Sequence, residues 1–161
     1  MATALFNKYK EEPDQQIQHA LLDDINRYLN KSLEIHPHYG SAILLKSGVI
    51  TENYKRDQNI DLLLKEFSAL LKINPGLQFI DQYLEYLNQR PSIKSKLAGF
   101  YFEIGAWFAN ERRSSKLALK YLHQYGLSIA PENKDLNRAV GQIYQKLNQA
   151  EKANYFLNKA N

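Results

Sequence analysis

The sequence predicts an all-α protein of about eight helices, and three observations predict it. Apolar residues recur at the 3-and-4 spacing of a helix face along most of the chain, strand-like alternation is sustained nowhere, and the prolines fall between the periodic stretches. Gly and Pro together make only 12 of 161 residues, so the few helix breakers act as punctuation.

The elements follow in order. Residues 1–13 read as an N-terminal tail. Over 14–35, Ile17, Leu21, Ile25, Tyr28, Leu29 and Ser32 share one helix face. Pro37 closes that helix, because the residue before a proline is pushed out of the helical region. A second helix spans 41–53. A longer turn over 54–58 leads to a third at 59–73, ended by Asn74-Pro75. The fourth, 77–89, carries Ile80, Tyr83, Leu84 and Leu87 on one side. The fifth opens at Pro91, with Ser92 in its early turn, and runs through Phe108. The sixth covers 114–129, with Ser114 or Ser115 as its N-cap, and stops at Ala130-Pro131. The seventh and eighth are 133–147 and 150–160. Connections this short favour antiparallel neighbours. No stretch reads as a flexible linker, so 14–161 is expected to be one helical domain. Its pieces are 14–37, 40–75, an extra helix 77–90, 92–131 and 133–161.

Composition narrows the chemistry. A chain of this length buries roughly 70% of its unfolded surface and can build a core without staples. There is no cysteine, which excludes disulfides, thiolate metal sites and thiol nucleophiles. No apolar run approaches the ~20 residues of a membrane helix, and none has signal-peptide length. The net charge of +4 is uneven: residues 1–90 carry 10 Lys and Arg against 12 Asp and Glu, and residues 91–161 carry 11 against 5. The basic half suits an acidic partner. A nucleic acid ranks behind a protein, because that reading requires a strong basic stripe.

A spacing recurs along the chain. The last segment reads Val140-Gly141-x-x-Tyr144, then Ala153-x-x-x-Leu157, then Ala160. The one before reads Tyr101-x-x-Ile104-Gly105-x-x-Phe108, then Ala118-x-x-x-Leu122, then Pro131. An earlier one reads Leu44-x-x-Ser47-Gly48-x-x-Thr51, then Leu63-x-x-x-Phe67, then Pro75. Gly141 to Ala153 is 12 residues, Gly105 to Ala118 is 13 and Gly48 to Leu63 is 15. Small residues at Gly105, Gly141 and Ala153 let two helices approach closely, and Tyr101, Phe108, Tyr144 and Leu157 fill the space beside them. These segments resemble the tetratricopeptide repeat, a helix–turn–helix unit of 34 residues whose copies stack into a superhelix. The resemblance covers about 17–161 and is densest over 98–161. On it, the first helix has lost a partner and the last repeat stops before its proline, as in a piece cut from a longer chain. The layout of 34–161 is also similar to repeat tails on bacterial multi-pass membrane proteins of glycosyltransferase type. That likeness implies a regulatory or assembly tail, periplasmic in that case and cytoplasmic otherwise.

The resemblance implies a non-catalytic module that takes a peptide or partner helix in a concave groove lined by the first helix of each repeat. The matching positions are Asp135, Arg138, Gln142, Gln145 and Lys146 in the last repeat. They are Phe102, Ala106, Ala109 and Asn110 in the preceding one, and Leu45, Val49, Glu52 and Asn53 in the first. Apolar residues at one end and polar, basic ones at the other imply an apolar peptide or helix bearing acidic residues; a homo-oligomer is also left open. Other clusters read as structure. His36-Pro37-His38 could chelate a metal only with a third ligand and otherwise forms a turn. Glu11-Glu12 and Asp23-Asp24 read as solvated faces. Phe100-Tyr101-Phe102 to Trp107-Phe108 reads as core more than as a stacking platform. No catalytic set, metal or cofactor is expected.

Overall fold

The computed structural model describes residues 1–161 and contains nine helices and no strand. They are α1 (Ala2–Glu11), α2 (Gln15–Ile35), α3 (Gly40–Asp57), α4 (Ile60–Ile73), α5 (Gln78–Asn88), α6 (Lys94–Asn110), α7, α8 (Lys134–Lys146) and α9 (Ala150–Lys159). A short 3₁₀ turn, Pro91–Ile93, leads into α6. Helix α7 has three parts: an α-helical start Ser115–Leu119, a π-helical middle Lys120–Gly126 and a last turn Leu127–Ile129. None of the helices is long and apolar enough to cross a membrane. The chain divides into two compact units, Met1–Tyr83 and Leu84–Asn161, where the sequence had suggested one domain over 14–161 behind a tail.

In the first unit the expected tail is helix α1. Ala2, Leu5, Phe6 and Tyr9, at i, i+3, i+4 and i+7, pack on a core of Leu22, Ile25, Leu29, Ala42 and Val49. Pro13 holds Glu12 in an extended conformation and ends α1. The Asp14 side chain then caps α2, accepting from the Gln16 and Ile17 amides at 2.8 and 3.2 Å. Ten residues are too few to be a stable helix alone, so α1 exists because it docks. The buried face of α2 includes Leu22, in the core that α1 packs on. Leu21, Leu22, Ile25 and Leu29 are buried, whereas Ile17 and Tyr28, assigned to the core face by periodicity, are 46% and 39% exposed. Helix α3 runs one turn past the expected 53. Tyr54 stays buried one turn beyond Ile50, and the helix stops at Gln58, whose φ of 53° is left-handed. Asn59 then caps α4 through the Leu62 amide at 3.1 Å. Leu63, Phe67 and Leu71 of α4 are fully buried, and Phe67 meets Tyr83 edge-on at 5.8 Å.

The second unit contains two hairpins with the expected small-residue contacts. A Cβ on Gly105 would lie 2.5 Å from Leu122 Cγ, and one on Gly141 would lie 2.7 Å from Leu157 Cγ. In each hairpin, then, the glycine admits the leucine of the returning helix. The two hairpins differ after that leucine. Leu157 to the buried Ala160 is three residues, and Leu122 to the buried Gly126 is four. The extra residue is absorbed by the π-helical segment, where the Leu127 amide donates to the Leu122 carbonyl, five residues back. Gly126 is thereby returned to the contact side: its Cβ would sit 2.9 Å from Leu136 of α8.

Candidate functional site

The nine groove positions expected in the second unit fall on one side each of α6 and α8, two helices that touch. On α8, Asp135, Arg138, Gln142, Gln145 and Lys146 are all exposed. They span a roughly 100° arc at 100° per residue. The opposite face of α8 buries Leu136, Val140, Ile143 and Tyr144. Arg138 donates to Asp135 at 3.2 Å, a bond across one turn with both side chains in solvent. On α6, Phe102 and Asn110 are exposed, and Ala106 and Ala109 between them are half-buried. Phe100, Tyr101 and Phe108 of the same aromatic run are buried, so that run is core apart from Trp107, which is half-buried, and Phe102, which is 37% exposed.

The first-unit positions come out differently. Val49 is fully buried and Leu45 packs against the same core. Glu52 accepts a hydrogen bond from the Tyr9 hydroxyl at 3.0 Å. Burial, with Glu52 beside it, pushes the Tyr9 phenol up to about 12. Val49 thus lies in the core that α1 packs on and Glu52 is bonded to α1, so neither is a free groove position. The fourth, Asn53, lines a cavity of about 180 Å³ bordered by α2, α3 and α4, and its buried Oδ1 has no hydrogen-bond partner.

That cavity holds a residue sequence reasoning passed over. Lys46 is only 5% exposed. Its ammonium donates to Asn26 Oδ1 and to Asn30 Oδ1 and lies 3.5 Å from Glu66. Three donors thereby face three acceptors, the arrangement a buried ammonium requires. Burial lowers its pKa and Glu66 partly opposes this. The signal was in the sequence as one lysine inside the apolar stretch Ile43-Leu44-Leu45-Lys46-Ser47-Gly48-Val49-Ile50.

His123 is the other titratable group drawn into packing. It sits in the π-helical part of α7, with Nδ1 3.1 Å from the Tyr144 hydroxyl and its ring edge-on to Phe156 at 4.9 Å. Tyr144 and Phe156 stack at 5.7 Å, and Lys152 lies over Tyr144. Burial, then Lys152, lowers the His123 pKa below its ordinary 6.5. Below pH 6.5 the unfolded chain therefore binds more protons than the folded one, and stability falls as pH drops through that window. We expect the thermal midpoint to be lower at pH 5 than at pH 7.5, and His123→Phe to flatten that slope. A His123→Phe chain with the wild-type pH profile would assign the slope to other groups.

The remaining clusters stay apart. His36 and His38 are both exposed in the turn after α2, and no three or more His, Asp or Glu side chains converge anywhere. Ser114 caps α7 through the Leu117 amide at 3.3 Å, and Arg113 before it is left-handed at φ 49°. Comparison with protein-family models finds no match to this chain, and comparison with curated proteins finds none either.

Proposed function

We propose that the chain is a non-catalytic protein-binding module of the tetratricopeptide kind that takes an acidic peptide or partner helix along α6 and α8. The observation that carries this reading is the pair of stripes on neighbouring helices. The α8 positions are all in solvent, the α6 stripe is exposed at Phe102 and Asn110 and half-buried at Ala106 and Ala109, and the opposite face of each helix is spent on the core. Charge supports the sign of the partner: residues 84–161 carry 12 Lys and Arg against 6 Asp and Glu. The shape supports its class, since one exposed phenylalanine among small and polar residues suits an amphipathic ligand.

The test is Arg138→Glu combined with Lys146→Glu, titrated with a panel of acidic helical and extended peptides. Both side chains are exposed, so the melting temperature is expected to stay within about 2 °C. The best-binding peptide is expected to lose at least about tenfold in affinity, with a steeper loss at low salt than at high salt. Equal affinity in the double variant would remove this surface from the site.

A further inference from the structure

We infer that the face of α2 and α3 beneath α1 is a second, independent docking site, that α1 is its resident occupant, and that the external ligand it takes is a basic amphipathic helix of the same pattern. Three observations carry this. First, the seating is a helix laid on a groove by one stripe: Ala2, Leu5, Phe6 and Tyr9 touch the core, with the Phe6 ring 3.6 Å from where a Gly48 Cβ would be and the Tyr9 hydroxyl on Glu52. This is how an amphipathic helix is recognised in a groove.

Second, the contact is asymmetric. The face holds Leu22, Ile25 and Val49, none more than 1% exposed, yet α1 itself has no buried residue. Its hold is four partly buried side chains and two hydrogen bonds, Tyr9 to Glu52 at 3.0 Å and Gln18 to the Tyr9 carbonyl at 3.4 Å, on a segment of ten residues that does not keep its helix when it leaves. Elements of this kind belong to the low-stability end of a structure and open first. The joint is short and stiff: Pro13 breaks the helix and Asp14 starts the next. The free segment is therefore released whole at Pro13.

Third, charge is complementary. Residues 2–11 carry Lys8 and Lys10 against Glu11, whereas residues 12–83 carry 7 Lys and Arg against 10 Asp and Glu. A basic helix with small, Leu-aromatic and Tyr anchors at i, i+3, i+4 and i+7 fits the groove and is opposite in sign to the rest of the unit, with Glu52 at the contact itself. The site does not rest on the α6–α8 reading, which concerns the other unit and a ligand of opposite charge.

The experiment uses the full chain and a labelled synthetic peptide of residues 1–12 as probe. In wild type α1 competes, so the apparent affinity is reduced by the small fraction of open molecules. Leu5→Ala with Phe6→Ala loosens α1, and the peptide is expected to bind that chain at least tenfold more tightly than wild type. A peptide with Lys8→Glu and Lys10→Glu is expected to bind at least threefold more weakly. Amide exchange on the unaltered chain gives the second measurement, with α1 expected to exchange well ahead of α2 and α3. Several results would overturn the inference. One is equal peptide affinity in a variant that keeps its native circular dichroism. Another is α1 exchanging in step with α2, or global unfolding of the variant, either of which makes α1 a fixed part of the core. A released chain that dimerises by exchanging α1 would assign the face to a second copy.

Discussion

Gly141→Leu is expected to cost about 3 kcal/mol, the upper end of the usual range for overpacking. That corresponds to a fall of roughly 6–12 °C in melting temperature for a chain of this size. The reason lies in what surrounds the missing side chain. A Cβ there would be 2.7 Å from Leu157 Cγ and 3.2 Å from the Ala153 carbonyl oxygen. Leu157 can change rotamer, but the carbonyl belongs to the returning helix and moves only if α8 and α9 separate. Leucine also gains about 1 kcal/mol of helix propensity over glycine, which offsets part of the loss and does not reverse it. Gly48 supplies the contrast. Its nearest neighbour is the Phe6 ring at 3.6 Å, an ordinary contact, so Gly48→Ala is expected to be neutral or to stabilise by up to about 1 kcal/mol. Thermal melts of the two variants decide the matter: a Gly141→Leu melt unchanged from wild type would mean that α8 and α9 do not approach closely there.

The same two glycines show how much of the fold was legible. Gly141 and Gly105 stand at nearly equal distances from the small and large residues they pack against, so the second unit's hairpins could be read from spacing alone. Gly48 sits in a similar string of letters but meets α1, not the helix that follows it. The periodic pattern specifies that a face is buried and not by what. Helix α1 was missed for a related reason. A single ten-residue stripe gives few periods to count, and its stability comes from Leu22 and Val49, which are distant in sequence. With α1 in place the buried arc of α2 is centred on Leu22 and Ile25, and Ile17 and Tyr28 lie outside it. The π-helical segment was not visible in the repeat spacing, which compares the hairpins only as far as Leu122 and Leu157. The residue inserted between Gly105 and Ala118 is a separate one and stands as read, since Gly105 meets Leu122 after 17 residues and Gly141 meets Leu157 after 16; the π-helical segment takes up a further residue between Leu122 and Gly126.

The candidate site was legible where it depends on one helix and illegible where it depends on several. The α8 stripe follows from its own 3.6-residue period and stands exposed as read. Lys46 depends on Asn26 and Asn30 of α2 and Glu66 of α4, three residues no local pattern connects to it. The first-unit groove positions depend on whether anything covers α3, and α1 does. A charge count over the halves did carry over, because it ignores geometry: the basic excess of the C-terminal half is the basic excess of the unit that presents the α8 stripe.

Phe108→Ala is expected to cost about 3–5 kcal/mol, the usual loss for truncating a fully buried aromatic. Against a total stability of about 5–15 kcal/mol for a domain, this is a large fraction. Phe108 stacks on Tyr121 at 5.5 Å and 13°. Tyr121 contacts Tyr125 at 5.9 Å, and Tyr125 stacks on Tyr101 at 5.5 Å. Two rings of α6, seven residues apart, are thus joined through two rings of the π-helical segment. Removing Phe108 opens a void at one end and leaves Tyr121, itself fully buried, without its stacking partner. Urea unfolding is expected to show a lower midpoint with an unchanged slope, which is the signature of lost stability without a change in the surface exposed. Phe102, six residues earlier on the same helix, is the control that separates core from surface. Its truncation is expected to cost well under half of the Phe108→Ala loss, about 1 kcal/mol, while weakening the peptide binding proposed along α6 and α8. If Phe108→Ala were as mild as Phe102→Ala, the ring series would be decoration on a core held elsewhere. If Phe102→Ala were as severe as Phe108→Ala, the α6 stripe would belong to the core and the proposed binding face would reduce to α8 alone.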